Sequence, residues 1–218
     1  MKVIVIIPTC SSSRIPLLIQ AVESIQAGSY EDVHPVIVVD GNNHIKETAT
    51  KKLHHVSILE NKERKDWVFS INRVLKEFDS EYYIYASDDL FFQKDCIKAA
   101  IKEMEKYFSD RDGVVGIGRQ GRSAFGLMGD KFVNRFPGRE VFCPDFIHFG
   151  ADSELLRTLK ILDKITYLPE ENRVKHFREK DETWRWARRI RARDREVFYK
   201  RQTKGYQWGI DFELVTRG

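Results

Sequence analysis

An apolar run that stops at adjacent carboxylates constrains this chain more than any other feature. Residues 82–85 are aromatic or branched, which favours a strand, and Asp88 and Asp89 follow closely. In open α/β sheets ligands bind where parallel strands end, and adjacent carboxylates are unfavourable unless a cation or hydrogen-bond donors offset them. We therefore predict a divalent metal at Asp88 that holds a phosphorylated ligand, and we assign Asp89 to a turn and the N-terminus of the next helix.

Short apolar runs alternate with helical patterns over most of the chain. Strands are predicted at residues 2–8, 36–39, 56–59, 82–85, 113–117 and 165–168. Helices are predicted where apolar residues recur at helical spacing, within residues 15–25, 45–53, 67–78, 97–108 and 152–161. Because strands and helices alternate, we predict an α/β fold whose mostly parallel sheet carries helices on both faces.

Glycine, aromatic and basic residues interrupt this pattern at residues 118–142, where we predict an irregular segment. Long irregular segments inside compact domains are usually functional loops, and a merely mobile loop is the alternative. A short extended piece is predicted at residues 174–177, and a helix without a strong apolar face over residues 178–201.

Length and composition indicate a globular protein with one core. The chain has 218 residues, of which 42% are hydrophobic, so we expect one domain with an extension. Cys10, Cys96 and Cys143 lie far apart without a C-x-x-C motif, which argues against a disulfide framework or a zinc site and fits a reducing compartment. The apolar start is too short for a signal peptide, and no run approaches the length of a membrane span. We therefore expect a cytoplasmic protein.

Positive charge is concentrated near the C-terminus. The formal net charge is +4, yet residues 178–204 contain eleven basic and five acidic side chains, which leaves the rest of the chain slightly acidic and without a nucleic-acid footprint. Three interpretations of the basic segment stay open. It is a solvated helix whose Trp184 and Trp186 pack back on the domain, an element that contacts an anionic membrane peripherally, or a nucleic-acid contact with arginines on phosphates and indoles on bases.

Several segments occur in an informative order and spacing. They are residues 3–9, residues 36–41, residues 70–72 with 81–89, and residues 149–155. Together they resemble the nucleotide-sugar glycosyltransferases of the GT-A fold, family 2-like. The resemblance implies a GT-A nucleotide-sugar-binding and catalytic domain over residues 1–177, followed by a basic C-terminal extension over residues 178–218.

The resemblance implies donor-binding roles for Thr9, Asp40, Asn72 and Asp88. Asp40 would meet the base or ribose of the nucleotide, because a carboxylate accepts hydrogen bonds from an imide N–H or from hydroxyls. Its alternative role is an Asx-type turn before Gly41. Thr9 would meet the nucleotide through its backbone or simply end a strand, and Asn72 would link its helix to the nucleotide loop. The expected donor is a nucleoside-diphosphate sugar such as a UDP-sugar.

The resemblance also implies Mn²⁺ or Mg²⁺, held by Asp88 and His176. A divalent ion bridging the two phosphates would neutralise the leaving group. One departure matters, because Ala86 stands where the family's D-x-D motif has its first acid, and Asp88 matches only the second. A metal-independent or inactive variant therefore stays open, and a lone histidine beside Phe177 is also compatible with simple packing or solvation.

By resemblance, Asp152 is the base that accepts the proton of the acceptor hydroxyl in a hexosyltransferase-type reaction, with inversion at the anomeric carbon. A positioned base typically contributes on the order of 10²–10⁴ in rate. Asp152 also begins a predicted helix, so an N-cap is its alternative role, and both can hold together. Two other functions stay open for the chain: a GT-A-like nucleotide-binding protein without transfer activity, and a glycosyltransferase acting on a nucleic-acid base. A nucleotidyltransferase fits less well, because no glycine-rich loop follows the first strand.

Overall fold

The structure, a computed structural model, describes residues 3–177 and 180–210. The predicted strand start Lys2, the tail residue Arg178 and residues 211–218 of the extension lie outside the described residues. The strands are β1 (Val3–Thr9), β2 (Val33–Asp40), β3 (Ser57–Asn61), β4 (Tyr82–Tyr85), β5 (Leu90–Phe91), β6 (Val114–Gly116), β7 (Gly126–Gly129), β8 (Ile165–Tyr167) and β9 (Lys175–His176). The helices are α1 (Ile15–Gln26), α2 (Asn43–Lys52), α3 (Asp66–Glu77), α4 (Cys96–Tyr107), α5 (Asp130–Val133), α6 (Ala151–Ile161) and α7 (Glu182–Thr203).

The central sheet is mostly parallel, as the sequence predicts. Within the described residues it has seven strands in the order β3-β2-β1-β4-β7-β6-β8. β3, β2, β1 and β4 run parallel, β7 lies antiparallel to both β4 and β6, and β8 is parallel to β6. Parallel neighbours bring the carboxyl ends of β1, β2 and β4 to the same edge of the sheet, where ligand sites form in such folds.

Alternating side chains of β1 divide the core into two layers. Val3, Val5 and Ile7 pack with α1, α2 and α4 on one face, while Ile4 and Ile6 pack with α3, α5 and α6 on the other. All five side chains are fully buried. A strand that is apolar on both faces requires helices on both sides, so the prediction of this α/β fold is confirmed.

β7 lies inside the segment that the sequence predicts as irregular. It pairs with β4 so that Gly126 lies opposite Tyr85. A Cβ atom at Gly126 would lie 2.6 Å from the Tyr85 hydroxyl oxygen, which is closer than real Cβ atoms approach. Glycine is therefore required here, and because glycine disfavours strands the local pattern conceals β7. The prediction of irregular structure is wrong for residues 126–133, which form β7 and α5.

The segment after β4 is a turn that leads into a strand rather than into a helix. β5 pairs antiparallel with β9, and α4 begins only at Cys96, with Asp95 at its N-cap. The prediction that Asp89 precedes a helix N-terminus is therefore wrong. The pairing of β5 with β9 instead brings His176 next to Asp89.

Buried polar contacts fix α7 to the rest of the domain. Asp194 is fully buried and accepts hydrogen bonds from the backbone N–H groups of residues 147–149 at 2.8–3.2 Å. The Nε of buried Arg201 donates to Glu154 of α6 at 2.8 Å, and Trp208 packs into the core layer that contains α6. Because buried charges are unfavourable without such partners, these contacts make α7 part of the packed domain.

Candidate functional site

A cavity of about 590 Å³ lies at the carboxyl ends of the central parallel strands. Thr9 and Asp40 are the last residues of β1 and β2, and Asp88 follows β4. We call these three residues the strand-end wall. Asp152 of α6 and His176 of β9 line the same cavity, so the fold brings these predicted site residues together.

Asp40 is buried, and the loop before α3 holds its carboxylate. Oδ1 accepts hydrogen bonds from the Lys65 N–H at 2.8 Å and from the Asn61 amide at 2.9 Å, and Oδ2 accepts one from the Asp66 N–H at 2.8 Å. These bonds orient the side chain at the cavity wall. Each carboxylate oxygen can accept more than one hydrogen bond, so Oδ2 retains acceptor capacity.

Asn72 does not line the cavity. Its side-chain amide donates to the Phe142 carbonyl at 2.6 Å and accepts from the Phe142 N–H at 3.1 Å. This buried pair links α3 to the segment that precedes α6. These contacts give Asn72 a structural role next to the cavity wall, and its assignment to donor binding stays a prediction.

Arg14 lies at the centre of an acidic cluster, just before α1. Its Nη1 donates to Asp88 Oδ1 at 2.8 Å and to Asp89 Oδ2 at 3.2 Å, and its Nε donates to Asp181. His176 Nε2 lies 3.1 Å from Asp89 Oδ2. The guanidinium group thus supplies the positive charge that the adjacent carboxylates require.

Burial and ion pairing act in opposite directions on the pKa values of this cluster. Burial raises the pKa of Asp88 to about 6, despite the opposing effect of Arg14. Burial also acts to raise the pKa of Asp89, but its hydrogen bond with His176 and the other polar contacts outweigh burial and lower it. Burial alone would lower the pKa of Arg14, whereas the carboxylates around it raise that pKa. Asp88 is therefore the carboxylate of the cluster that titrates closest to neutral pH.

The predicted metal ligands do not form a metal centre in this arrangement. Over residues 3–177 and 180–210, no group of three or more His, Cys, Asp or Glu side chains is placed to hold a metal ion. Asp88 and Asp89 are paired with Arg14, and His176 is directed at Asp89. The donor atoms are of a type that Mn²⁺ accepts, but the side chains as arranged do not fit a divalent ion unless Arg14 moves away.

Asp152 lies between the main cavity and a neighbouring one. The N-cap of α6 is Gly150, with φ of 86°, so Asp152 is in the first turn and is not the N-cap. Burial raises the pKa of Asp152, which makes its carboxylate a stronger base. Asp152 also lines a cavity of about 370 Å³, which we call the side cavity, together with Phe149, Gly150, Ser153, Arg191, Asp194, Arg195, Phe198 and Tyr199.

The C-terminal helix and the residue before its cap supply another wall of the main cavity. The C-terminal wall consists of Lys180, Trp184, Trp186, Arg188 and Arg191. The guanidinium carbon of Arg64, from the loop before α3, lies 3.7 Å from the centroid of the Trp186 ring. The sequence predicts neither this wall nor Arg14 as part of the site. The one relevant signal in the sequence is the concentration of arginine and tryptophan near the C-terminus, which indicates charge but not position.

None of the helices in the described part of the chain is both long and apolar enough to cross a membrane.

Comparisons with known proteins agree with this fold. The model of the family described as Glycosyl transferase family 2 matches residues 4–174, which confirms the resemblance. Mannosyltransferase PcManGT from Pyrobaculum calidifontis, in complex with GDP-Man and Mn²⁺, has a TM-score of 0.68 at 17% identity, covering 92% of this chain and 64% of that one. TarS from S. aureus, in complex with UDP-GlcNAc, has a TM-score of 0.62 at 16% identity, covering 84% of this chain and 61% of that one.

These structural similarities concern the fold, because the sequence identities are low. This chain spans about 60% of the length of the TarS 1-349 structure. A comparison with curated protein sequences gives no match.

Proposed function

Since this chain belongs to glycosyl transferase family 2, we propose that it transfers a sugar from a nucleoside-diphosphate donor to the hydroxyl group of an acceptor. The observation that carries the proposal is the cavity in which the strand-end wall and Asp152 meet. PcManGT is seen with GDP-Man and TarS with UDP-GlcNAc, which supports a hexosyltransferase that uses a UDP-linked or GDP-linked donor.

We assign the nucleotide to the strand-end wall. The carboxylate of Asp40, oriented by the loop before α3, accepts hydrogen bonds from the base or the ribose. Thr9 is buried at the end of β1 and meets the nucleotide through its backbone. The diphosphate then extends toward Asp88 and the middle of the cavity.

Asp152 is the proposed catalytic base. Asp152 lines both cavities, so a donor sugar in the main cavity and an acceptor hydroxyl in the side cavity would meet at this residue. Burial raises the pKa of Asp152, which favours proton acceptance. If the hydroxyl attacks the anomeric carbon from the side opposite the diphosphate while Asp152 takes its proton, the configuration inverts.

The departing nucleoside diphosphate needs positive charge around it. Lys180 and Arg188 line the main cavity and can supply that charge, whereas Arg64, which also lines it, is paired with Asp66 at 2.8 Å. The charge of Arg14 is instead balanced by its neighbouring carboxylates. Binding of Mn²⁺ or Mg²⁺ at Asp88 and His176 stays a prediction, and it requires Arg14 to release Asp88.

We further propose that residues 1–177 form the nucleotide-sugar-binding and catalytic domain, and that the basic extension over residues 178–218 completes its cavity. The position of the C-terminal wall supports this division. Peripheral membrane contact or nucleic-acid contact through residues 178–204 stays a prediction, as does a cytoplasmic location.

A thermal-shift panel of UDP, GDP, CMP and dTDP, with Mn²⁺ or with EDTA, tests the donor assignment. We expect UDP or GDP to raise the melting temperature, since ligand at a hundred times its Kd adds about 2.7 kcal/mol to the free energy of unfolding. Nucleotide-sugar turnover, measured as nucleoside diphosphate release with and without acceptors, then tests transfer.

The outcomes separate the alternatives. If none of the nucleotides stabilises the protein and no donor turns over, the proposed function is wrong. Stabilisation by nucleotide without turnover of any donor would favour a nucleotide-binding protein without transfer activity. Equal stabilisation with Mn²⁺ and with EDTA would contradict the metal prediction while leaving sugar transfer in place.

A further inference from the structure

Three arginines form a ladder along one face of α7. Arg188, Arg191 and Arg195 are three and four residues apart, the spacing that places side chains on the same side of a helix. Each guanidinium group lies over an aromatic ring, at 4.9 Å from the centroid of Trp184, 5.6 Å from that of Phe149 and 5.9 Å from that of Tyr199. Stacking of this kind positions a guanidinium group and leaves its N–H donors available.

The ladder arginines differ from Arg193 and Arg201 of the same helix, which are paired with carboxylates. Arg193 is paired with Asp194 at 2.8 Å and Arg201 with Glu154 at 2.8 Å. In contrast, no carboxylate among residues 3–177 and 180–210 forms an ion pair with any ladder arginine. The ladder therefore presents positive charge that no described part of the protein neutralises.

The ladder leads from the main cavity to the side cavity past the proposed base. Arg188 and Arg191 line the main cavity, and Arg191 and Arg195 line the side cavity. Asp152 lines both. The side cavity, at about 370 Å³, is within the size range of small-ligand sites.

The acids of the side cavity do not cancel this charge. Asp194 is fully buried, and its oxygens accept hydrogen bonds from the backbone of residues 147–149 and from Arg193. Asp152 is the remaining carboxylate of the side-cavity lining, and it is the group that we assign to the acceptor hydroxyl. A ligand in the side cavity therefore meets one carboxylate at its reacting end and two available guanidinium groups beside it.

We propose that the side cavity is the acceptor site and that the acceptor is a hydroxyl compound carrying a phosphate group bound by Arg191 and Arg195. This inference rests on the proposed function, because Asp152 as base defines the acceptor side. Guanidinium groups match phosphate oxygens with paired hydrogen bonds. Residues four apart on a helix rise by about 6 Å, so both arginines can reach one phosphate group. A soluble sugar phosphate or polyol phosphate and a lipid headgroup share this chemistry.

Calorimetric titration of the full chain with inorganic tripolyphosphate tests the anion site directly. Excess UDP and GDP are present so that the main cavity is filled. We expect the Arg191→Gln/Arg195→Gln double variant to bind tripolyphosphate about tenfold more weakly or worse than wild type, because hydrogen bonds to charged groups are among the strongest. The matched control is Arg185→Gln/Arg189→Gln, which removes the same charge from residues of α7 that line neither cavity.

A loss confined to the Arg191/Arg195 variant supports the site. Equal losses in both double variants would mean that binding follows net charge alone, and absence of binding by wild type would also overturn the inference. Because no step of this measurement requires sugar transfer, its result stands whether or not the proposed function holds.

Transfer assays then distinguish the sources of the phosphate. Glycerol is compared with glycerol 3-phosphate, and phosphatidylcholine vesicles with vesicles that also contain phosphatidylglycerol. We expect kcat/KM to be at least about tenfold higher for a phosphate-bearing acceptor, and the Arg191→Gln/Arg195→Gln variant to lose that preference. Preference for glycerol, or for an oligonucleotide included in the panel, would contradict the inference. If no acceptor reacts, the calorimetric result decides the anion site alone, and the assignment of that site to the acceptor is overturned.

Discussion

The strand-end wall and the C-terminal wall of the main cavity are built in different ways. Thr9 and Asp40 are buried at the ends of adjacent parallel strands, and Asp88 is buried in the turn that follows β4, so the sheet places this wall. The C-terminal wall carries exposed arginines on a helix, and that helix is held by Asp194 and Arg201, whose buried contacts lie with the segment before α6 and with α6 itself. The central sheet determines the geometry of the strand-end wall, whereas the position of the C-terminal wall depends on a few buried polar contacts.

This difference predicts a separation of roles. Damage to the strand-end wall should change nucleotide binding and leave α7 in place. Damage to an anchor of α7 should release the C-terminal wall and leave the ends of the strands intact. Asp152 lies where both cavities meet, so it tests whether the walls serve a common reaction.

The largest expected effect is that of Asp152→Asn on sugar transfer. The substitution keeps the size of the side chain and removes its basicity, so we expect kcat to fall by about 10²-fold or more while nucleotide affinity stays nearly unchanged. Steady-state kinetics and nucleotide titration measure the two quantities. Asp163→Asn, the same substitution at an exposed position, is the control and should be neutral. Undiminished transfer by Asp152→Asn would eliminate Asp152 as the base.

Loss of the Asp194 anchor should produce the largest change in stability. Asp194→Ala leaves buried backbone N–H groups of residues 147–149 without their acceptor, so we expect the free energy of unfolding to fall by about 3 kcal/mol. Urea denaturation measures this change. Glu196→Ala, which removes an exposed carboxylate paired with Lys200, should leave the free energy of unfolding nearly unchanged, because solvent screens exposed ion pairs. A small effect at both positions would contradict the anchoring of α7 through Asp194.

The strand-end wall could be predicted from the sequence because its signals are local. Continuous apolar runs indicate β1 and β2, and the polar residue that ends each run marks the edge of the sheet. The prediction places Thr9, Asp40 and Asp88 at that edge, and they line the same cavity. What failed at this wall also has a local cause, since Gly126 conceals β7, the strand that pairs with β4.

The C-terminal wall could not be predicted, because its position depends on contacts between distant residues. Arg14 pairs with Asp181, 167 residues later in the chain, and Arg201 contacts Glu154 across 47 residues. No periodicity or motif in the sequence indicates which distant residues will contact each other. For the same reason the sequence suggested a metal at Asp88 and did not reveal that the guanidinium group of Arg14 lies beside that carboxylate.

A pH series on Asp88→Asn examines the charge balance of the strand-end wall. Burial raises the pKa of Asp88 to about 6 in the folded state, above its ordinary value near 3.9 when unfolded. Between about pH 4 and pH 6 the native state therefore binds more protons than the unfolded state. The contribution of Asp88 to the free energy of unfolding is present below about pH 4 and is lost as the pH rises through about 6.

We expect the free energy of unfolding of wild type, relative to Asp88→Asn, to fall by on the order of 2 kcal/mol between pH 4 and pH 7. Urea denaturation at several pH values measures the difference, and comparison with the variant cancels the contributions of other carboxylates. A relative rise over the same interval would show that pairing with Arg14 outweighs burial and that the pKa of Asp88 is depressed.

The smallest expected effect lies where Arg64, from the loop before α3, meets the C-terminal wall. Its guanidinium carbon is 3.7 Å from the Trp186 ring centroid, and such contacts contribute about 0.5–1 kcal/mol at exposed sites. A double-mutant cycle of Arg64→Gln and Trp186→Leu, followed by urea denaturation, should give a coupling energy of that size. The stack of Arg188 on Trp184 lies within α7 and provides the comparison cycle. Coupling in the comparison cycle but not between Arg64 and Trp186 would mean that the contact of these two side chains contributes nothing to holding the loop before α3 against the C-terminal wall.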